Sequence, residues 1–237
     1  PLFVALFILG SLILVLEKRY WTLLLAIAWL ALNEAAAARI RHGLVIACAG
    51  DAGHMHYKKS RRGDAEIDRA VEHVLRHSGR PYDIEDFTPY GRTSAKLLAG
   101  FDLPLGRLGR TPHGRYPQYH TSADDLGLIR PEALEDSLEI FSEIVELLET
   151  DRVYRNTRPK CEPQLGRRGL YRVLGGHPAA EQSQIAMLWV LNQADGSRTL
   201  LEIAERSGMD FRDLRQAAEA LLEHGLLVEG TQGTKRT

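Results

Sequence analysis

Cysteine is scarce in this chain of 237 residues, which contains only Cys48 and Cys161, far apart in sequence. Two isolated thiols do not supply the paired-cysteine spacing of a structural zinc cage, so that class of metal site is excluded. Nothing in the sequence requires a disulfide between them, and so little cysteine fits a reducing compartment. We therefore expect a cytoplasmic protein.

An excess of one charge is also missing, because 30 Lys and Arg residues stand against 31 Asp and Glu residues. The chain therefore has no overall positive field of the kind that attracts nucleic acid. Its length is enough for one domain with a sizeable core and a small second domain. We expect two domains and no nucleic-acid partner.

A hydrophobic run long enough to cross a membrane is the third absence. Residues 1–16 are apolar apart from Ser11, and a second apolar run covers residues 21–32 after a charged break. Both runs are shorter than the roughly 20 residues that a spanning helix needs. No basic segment precedes the first run, as it would in a signal peptide. We favour a buried helix and strand of an α/β core, with a membrane anchor as the alternative.

A short apolar run at 44–49 stops at Gly50-Asp51-Ala52-Gly53. This pattern predicts a central parallel strand that ends in a turn. Ligands bind at the carboxyl ends of strands in open α/β sheets, so Asp51 is a candidate metal ligand. The alternative is a turn residue that accepts hydrogen bonds from its own backbone.

The next segments predict further strands and helices. His54 and His56 would share one face of a strand, but without a third ligand nearby we interpret them as solvated. Asp64 is expected to cap a helix that runs to about His77 and ends at Gly79. Strands are predicted at 82–88 and 101–108, the second at a sheet edge because of Pro104.

A long helix is predicted to start at Pro131, which suits the first helical position. Its apolar residues at 4, 3, 4, 3 spacing predict the side that faces the core. They are Leu134, Leu138, Phe141, Val145 and Leu148.

The loop before this helix contains the best candidate site in the sequence. His120 lies between Tyr119 and two hydroxyl residues, and Asp124 follows four residues later. A metal-binding imidazole needs one free ring nitrogen and an acceptor that orients the other, and this segment offers both. The alternative is a loop whose Thr, Ser and Asp residues cap the following helix.

The C-terminal part has a different pattern. Helices predicted at 181–192, 199–207 and 210–224, a turn at Gly208 and a strand at 226–228 are typical of a winged helix. Arg212, Arg215 and Gln216 would be its DNA-reading residues. However, residues 181–237 carry six basic and nine acidic side chains, which disfavours phosphate binding and favours a protein contact. We expect domains at 1–155 and 181–237, joined by a connecting segment at 156–180.

Three segments, taken together, resemble a known family. They are YKKSRRGDAEIDRA at 57–70, GFDLPLGRLGRTPHGRYPQYHTSADDL at 100–126 and PKCEPQLGRRGLY at 159–171. In this order, and followed by a winged helix, they resemble a bacterial aminopeptidase-like family of uncertain function that is related to zinc aminopeptidases. The resemblance implies an α/β sandwich with a mixed, mainly parallel sheet. It also implies two zinc ions held by His and carboxylate ligands, and a Glu that acts as general base.

Position by position, the resemblance implies that Asp51 and His120 are zinc ligands and that Asp124 is the carboxylate that orients a ligand. The family's other ligands would precede Pro1, so we expect this sequence to begin inside a longer protein. The acid of the family's Glu-containing turn, expected just before Ile27, is missing, and no general base is found. Because two ligands cannot hold two zinc ions, we expect weak or absent zinc binding and poor hydrolysis of peptide-like substrates.

Two interpretations follow from these departures. In the first, the chain is a fragment or degenerate member of the family, and the stretch before residue 27 and the segment RTSAKLLA at 92–99 result from a shifted reading frame. Resequencing the gene and finding the expected frame intact would exclude that shift. In the second, the larger domain is a non-catalytic scaffold that carries a regulatory or protein-binding winged helix.

Overall fold

The computed structural model of the chain describes residues 32–88, 102–112, 114–119, 121–161, 163–170 and 178–230, without the side chains of residues 36 and 178–180. The chain divides into two compact units, the first ending at Ile144 and the second beginning at Val145. Residues 1–31 and 92–99 lie outside the described residues. The predictions of apolar core elements and of a shifted reading frame concern these two ranges.

The described residues of the first unit are built on a four-stranded sheet with the order β1-β4-β2-β3. β1 pairs in parallel with β4, β2 pairs in parallel with β3, and β2 and β4 are antiparallel. The prediction of an α/β fold with a mixed, mainly parallel sheet is therefore confirmed. The elements are α1 (Glu34–Ala37), β1 (Gly43–Ile46), β2 (Met55–Lys58), α2 (Glu66–His77), β3 (Tyr82–Glu85), β4 (Leu105–Gly109) and α3 (Pro131–Thr150).

Two strands occupy positions that the sequence did not predict. Among the described strands, β1 lies at one end of the sheet and not at its centre, whereas β4 lies between β1 and β2 and not at an edge. Pro104 does not force an edge position because it precedes the strand, where its missing N–H is not needed for pairing. Its carbonyl accepts a hydrogen bond from the N–H of Gly43 at 2.9 Å, which starts the pairing of β4 with β1.

The start of α2 depends on a buried carboxylate. Asp68 is fully buried and accepts hydrogen bonds from the hydroxyl of Tyr57 at 2.7 Å and from the N–H and hydroxyl of Ser60 at 2.6 and 2.5 Å. It also accepts the N–H of Ala65, the residue before the helix, at 2.9 Å. The predicted cap at Asp64 is therefore wrong, because an acid inside the first turn reaches back to the free N–H.

Both long helices that begin in the first unit contact the same face of the sheet. Tyr57 on β2 bonds to Asp68 on α2, and Ser137 on α3 lies 3.8 Å from the sulfur of Met55, two residues before Tyr57. Residues two apart in a strand share a face, so this face and the two helices enclose the core. α2 ends as predicted, with Gly79 in the left-handed conformation at φ 69°.

The buried side of α3 matches the predicted stripe only at its end. Leu134 and Leu138, from the predicted stripe, are 46% and 63% exposed, whereas Leu148 is buried. The other buried side chains lie one position earlier along the helix, at Ala133, Ser137, Ile140, Ile144 and Leu147. One residue corresponds to a rotation of about 100° around the helix axis, so two neighbouring apolar stripes fit the same sequence and packing selects between them.

Within the residues that the structure describes, the second unit has three complete helices and a three-stranded antiparallel sheet with the order β6-β5-β7. Its elements are β5 (Val153–Asn156), α4 (Pro178–Gln193), β6 (Asp195–Thr199), α5 (Leu200–Ser207), α6 (Phe211–Glu223) and β7 (Leu227–Glu229). Gly208, at φ 71°, forms the turn between α5 and α6 as predicted. Because β5 belongs to this sheet, the second unit begins earlier than the boundary that we expected after residue 155.

None of the helices in the described ranges is long and apolar enough to cross a bilayer. The alternative of a membrane anchor concerned residues 1–32, of which the structure describes only Leu32.

Candidate functional site

Asp51 and Thr111 are brought together by the parallel pairing of β1 and β4. The pairing continues beyond both strands, because the N–H of Ala47 donates to the carbonyl of Leu108 and the N–H of Arg110 donates to the carbonyl of Cys48, at 3.2 and 2.8 Å. The two chain segments therefore leave the same edge of the sheet side by side. This is the carboxyl end of both strands, where the sequence predicted Asp51.

The carboxylate of Asp51 is half-buried and accepts three hydrogen bonds. Oδ1 accepts the N–H of Gly53 at 2.8 Å and the hydroxyl of Thr111 at 2.5 Å, and Oδ2 accepts the N–H of Thr111 at 3.2 Å. The bond to Gly53 is the turn contact that the alternative interpretation expected. The bonds to Thr111 go further and orient the carboxylate. A role of Asp51 as a metal ligand stays a prediction.

Arg110 fixes the turn that carries Asp51. Its side chain is 7% exposed and donates to the carbonyl of Gly53, to the carboxylate of Asp136 and, from Nε at 2.9 Å, to the hydroxyl of Ser137. That hydroxyl in turn donates to the carbonyl of Ala49 at 2.7 Å. A buried guanidinium with a carboxylate partner and further acceptors is well satisfied, so the turn is tied firmly to α3.

The loop after Thr111 also contacts this edge. The hydroxyl of Tyr116 donates to Sγ of Cys48 at 3.7 Å, and the ring of Tyr116 meets that of Tyr119 edge-on, with 5.6 Å between centroids. Burial, followed by the contact with Cys48, raises the pKa of the Tyr116 hydroxyl, so it remains protonated and donates at neutral pH. Cys48 has a positive φ of 55°, at the point where the chain turns out of the sheet.

The other two predicted site residues lie beyond this loop. His120 lies outside the described residues. Asp124 is exposed, and its predicted role in orienting a ligand stays a prediction. Asp125 accepts the N–H of Gly127 at 2.8 Å and caps the short 3₁₀ turn Leu126–Leu128. This cap belongs to the 3₁₀ turn and not to α3, the helix that the capping alternative concerned.

The two histidines near β2 pair with carboxylates of β3. Nε2 of His54 lies 2.7 Å from Oδ2 of Asp83, and Nε2 of His56 lies 3.4 Å from Oε2 of Glu85. His56 is 3% exposed, so the expectation that both rings are solvated is wrong for this residue. Its burial lowers the pKa of the imidazole, against the opposing effect of Glu85.

The described residues do not by themselves assemble a metal site. In the described ranges, no group of three or more His, Cys, Asp and Glu side chains could hold a metal ion. Of the two predicted zinc ligands, Asp51 and His120, the structure describes only Asp51.

Sequence reasoning missed Arg110 and Thr111, although both lie in the segment that carried the family resemblance. The available signal was the polar pair Arg110-Thr111, which directly follows the strand predicted at 101–108. It could be used only once the two strands were known to be neighbours.

Comparison with known proteins decides the family. The model of a domain of unknown function, DUF4910, matches residues 21–151, which is more than half of the chain. The chain belongs to the DUF4910 family. A second model, winged helix-turn-helix, matches residues 152–229, directly after the DUF4910 domain. The prediction of a C-terminal winged helix is confirmed.

Two comparisons with proteins of Clostridium acetobutylicum extend this result. The chain is 45% identical over 203 residues to a "Putative polysaccharide biosynthesis protein with aminopeptidase-like domain". A crystal structure described as a "putative peptidase" is 42% identical, with a TM-score of 0.76 over 85% of this chain. The resemblance of the DUF4910 domain to an aminopeptidase-like family is therefore confirmed. The chain spans 46% of the first protein and 44% of the second.

Proposed function

We propose that the DUF4910 domain of this chain carries part of the metal site of an aminopeptidase-like hydrolase and binds zinc weakly. The observation that carries the proposal is the carboxylate of Asp51, held by three hydrogen bonds at the carboxyl edge of two parallel strands. The names of the two Clostridium proteins support a peptidase-like activity in the longer relatives.

The residues fit zinc in part. A carboxylate and an imidazole are ligands that zinc accepts, and Asp51 is already oriented by a partner, as metal-binding side chains usually are. A zinc site needs at least three protein ligands, and the sequence supplies only Asp51 and His120 at positions that match the family. Zinc would thus be held by an incomplete set, which supports weak binding.

Zinc, when bound, would acidify a water molecule and polarise the carbonyl of a peptide-like substrate with a free amino end. The contribution of this chain would be to hold the cation through Asp51 and His120 and to keep the turn of Asp51 rigid through Arg110 and Ser137. No Glu stands where the family has its general base, so no residue is assigned to accept a proton from water. Hydrolysis by this chain is therefore expected to be poor.

The test is a calorimetric zinc titration of the chain and of Asp51→Ala, with hydrolysis of aminoacyl p-nitroanilides measured in parallel. The C. acetobutylicum relative at full length is the reference. We expect weak binding that Asp51→Ala abolishes and activity far below that of the reference. Binding that does not depend on Asp51 would overturn the site. Tight, near-stoichiometric zinc binding that is lost in His120→Ala would contradict the proposal that the chain binds zinc weakly.

A second candidate is a non-catalytic scaffold with a protein-binding winged helix, and the recognition helix α6 favours it. Arg212 pairs with Asp210 at 2.7 Å, and Arg215 pairs with Glu146 at 2.6 Å. Both guanidinium groups that would read DNA thus already have a carboxylate partner within the second unit. This arrangement supports a protein partner over DNA.

A further inference from the structure

We infer that Thr111 is the positioning residue for Asp51 and that it leaves one carboxylate atom, Oδ2, available to a cation. This inference rests on the proposed function, because it specifies how the same site would hold its metal. Three observations on the described residues support it. They are the hydrogen bonds that the carboxylate of Asp51 accepts, the absence of a side chain at Gly53 and the contacts that hold Thr111 in place.

The hydrogen bonds divide unequally between the two oxygens of Asp51. Oδ1 accepts two donors, the N–H of Gly53 at 2.8 Å and the hydroxyl of Thr111 at 2.5 Å. Oδ2 accepts one donor, the N–H of Thr111, at the longer distance of 3.2 Å. An ionised carboxylate has about four acceptor positions, two on each oxygen. Among the described residues, both positions of Oδ1 and one position of Oδ2 are therefore filled, so Asp51 would bind a cation through the single oxygen Oδ2.

Gly53 gives both partners the room for this arrangement. A Cβ at position 53 would lie 2.8 Å from Oδ1 of Asp51 and would collide with the hydroxyl of Thr111. Gly53 is not needed here for a positive φ, because its conformation is not left-handed. The missing side chain therefore serves the close approach of the hydroxyl to the carboxylate.

Thr111 is itself held in place, so it can act as an anchor. It follows Arg110, whose N–H is bonded to the carbonyl of Cys48 and whose guanidinium is bonded to the carbonyl of Gly53. Both sides of the Asp51–Thr111 contact are thus fixed by the same arginine. Such partners of metal-binding side chains typically change metal affinity by about 10- to 100-fold when they are removed.

The experiment compares Thr111→Val, which replaces the hydroxyl with a methyl group, with Thr111→Ser, which keeps the hydroxyl. Thr157→Val is the matched control, since Thr157 donates to the carbonyl of Gly225 in the other unit. Two quantities are measured on the full chain. The three-bond NMR couplings from Cγ of Asp51 to its backbone nitrogen and carbonyl carbon report its χ1 angle without metal. A titration with Co²⁺ alone, followed by visible absorption, reports cation affinity.

We expect couplings of a single χ1 rotamer in the parent chain, in Thr111→Ser and in the control, and averaged couplings in Thr111→Val. Cobalt affinity should fall by about 10- to 100-fold in Thr111→Val only. Unchanged couplings in Thr111→Val would overturn the positioning role. A third outcome is that the couplings are averaged in Thr111→Val while the parent chain binds no cobalt through Asp51. That outcome would support the positioning role and overturn the proposed metal site.

Discussion

At the scale of single residues, the segment 57–70 that carried much of the family resemblance serves the fold. Its Tyr57, Ser60 and Ala65 all donate hydrogen bonds to the buried carboxylate of Asp68. Burial and the charge of Asp68 raise the pKa of the Tyr57 hydroxyl, so this group remains a donor. Gly106 on β4 makes room for it, because a Cβ there would lie 2.6 Å from two ring carbons of Tyr57.

Replacement of Tyr57 by phenylalanine tests this network. The ring is kept and one bond to a buried charge is removed, so we expect the free energy of unfolding to fall by about 1.5–3 kcal/mol. Urea unfolding followed by circular dichroism measures it. Tyr82→Phe, on β3 of the same sheet, is the control and should change stability by less than about 0.5 kcal/mol. An equally small effect at position 57 would contradict the network.

At the scale of the elements, α3 shows how packing selects between two apolar stripes. The predicted stripe and the buried stripe differ by one residue, and both contain large aliphatic side chains. Ile140 is fully buried, whereas Leu138 on the predicted stripe is 63% exposed. The buried stripe includes Ser137, a polar residue that periodicity alone would assign to solvent. Its hydroxyl is satisfied by Arg110 and by the carbonyl of Ala49, which makes its burial acceptable.

Two alanine substitutions separate the stripes. Ile140→Ala should lower the free energy of unfolding by about 2–5 kcal/mol, because it leaves a cavity in the core. Leu138→Ala should cost less than about 0.5 kcal/mol, since its side chain is largely exposed and alanine favours the helix. Thermal and urea unfolding of both variants provide the measurement. The opposite ranking would show that the side predicted from sequence is the buried one.

At the scale of the whole molecule, charge gives no support to a DNA-binding role of the second unit. The last 57 residues, 181–237, carry nine acidic and six basic side chains, and over the whole winged-helix match at 152–229 ten acidic side chains stand against eleven basic ones. The two arginines at the start of α6 are engaged by Asp210 and Glu146. Phosphates would have to compete with these carboxylates for the two arginines, and the balanced charge of the region supplies no positive field to favour them.

Fluorescence anisotropy with labelled duplex DNA at physiological salt tests this conclusion. We expect no binding tighter than about 10⁻⁴ M, the weak end of non-specific affinity. The double variant Asp210→Asn with Glu146→Gln frees both arginines and should gain salt-dependent binding. A double variant with the same charge change elsewhere, Glu181→Gln with Glu223→Gln, should gain less. Tight, salt-dependent binding by the parent chain would favour a DNA-reading winged helix.

Local patterns were sufficient for much of the fold. The left-handed glycines at 79 and 208, the start of α3 at Pro131 and the winged-helix order of elements depend on the conformational limits of a few neighbouring residues. β6 was missed because Asp195–Thr199 has no alternating apolar residues, and it forms by pairing with β5. Pairing between distant segments leaves little trace in either segment alone.

The sequence by itself determined the family, the two kinds of domain and the position of Asp51 at the end of a strand. Tertiary structure decided that β4 lies beside β1, which side of α3 is buried and that Thr111 and Arg110 surround the turn of Asp51. The physical reason is range. Turn, cap and motif preferences act over a few residues, whereas the partners of a carboxylate at a sheet edge are set by strand order, which brings together residues 60 positions apart.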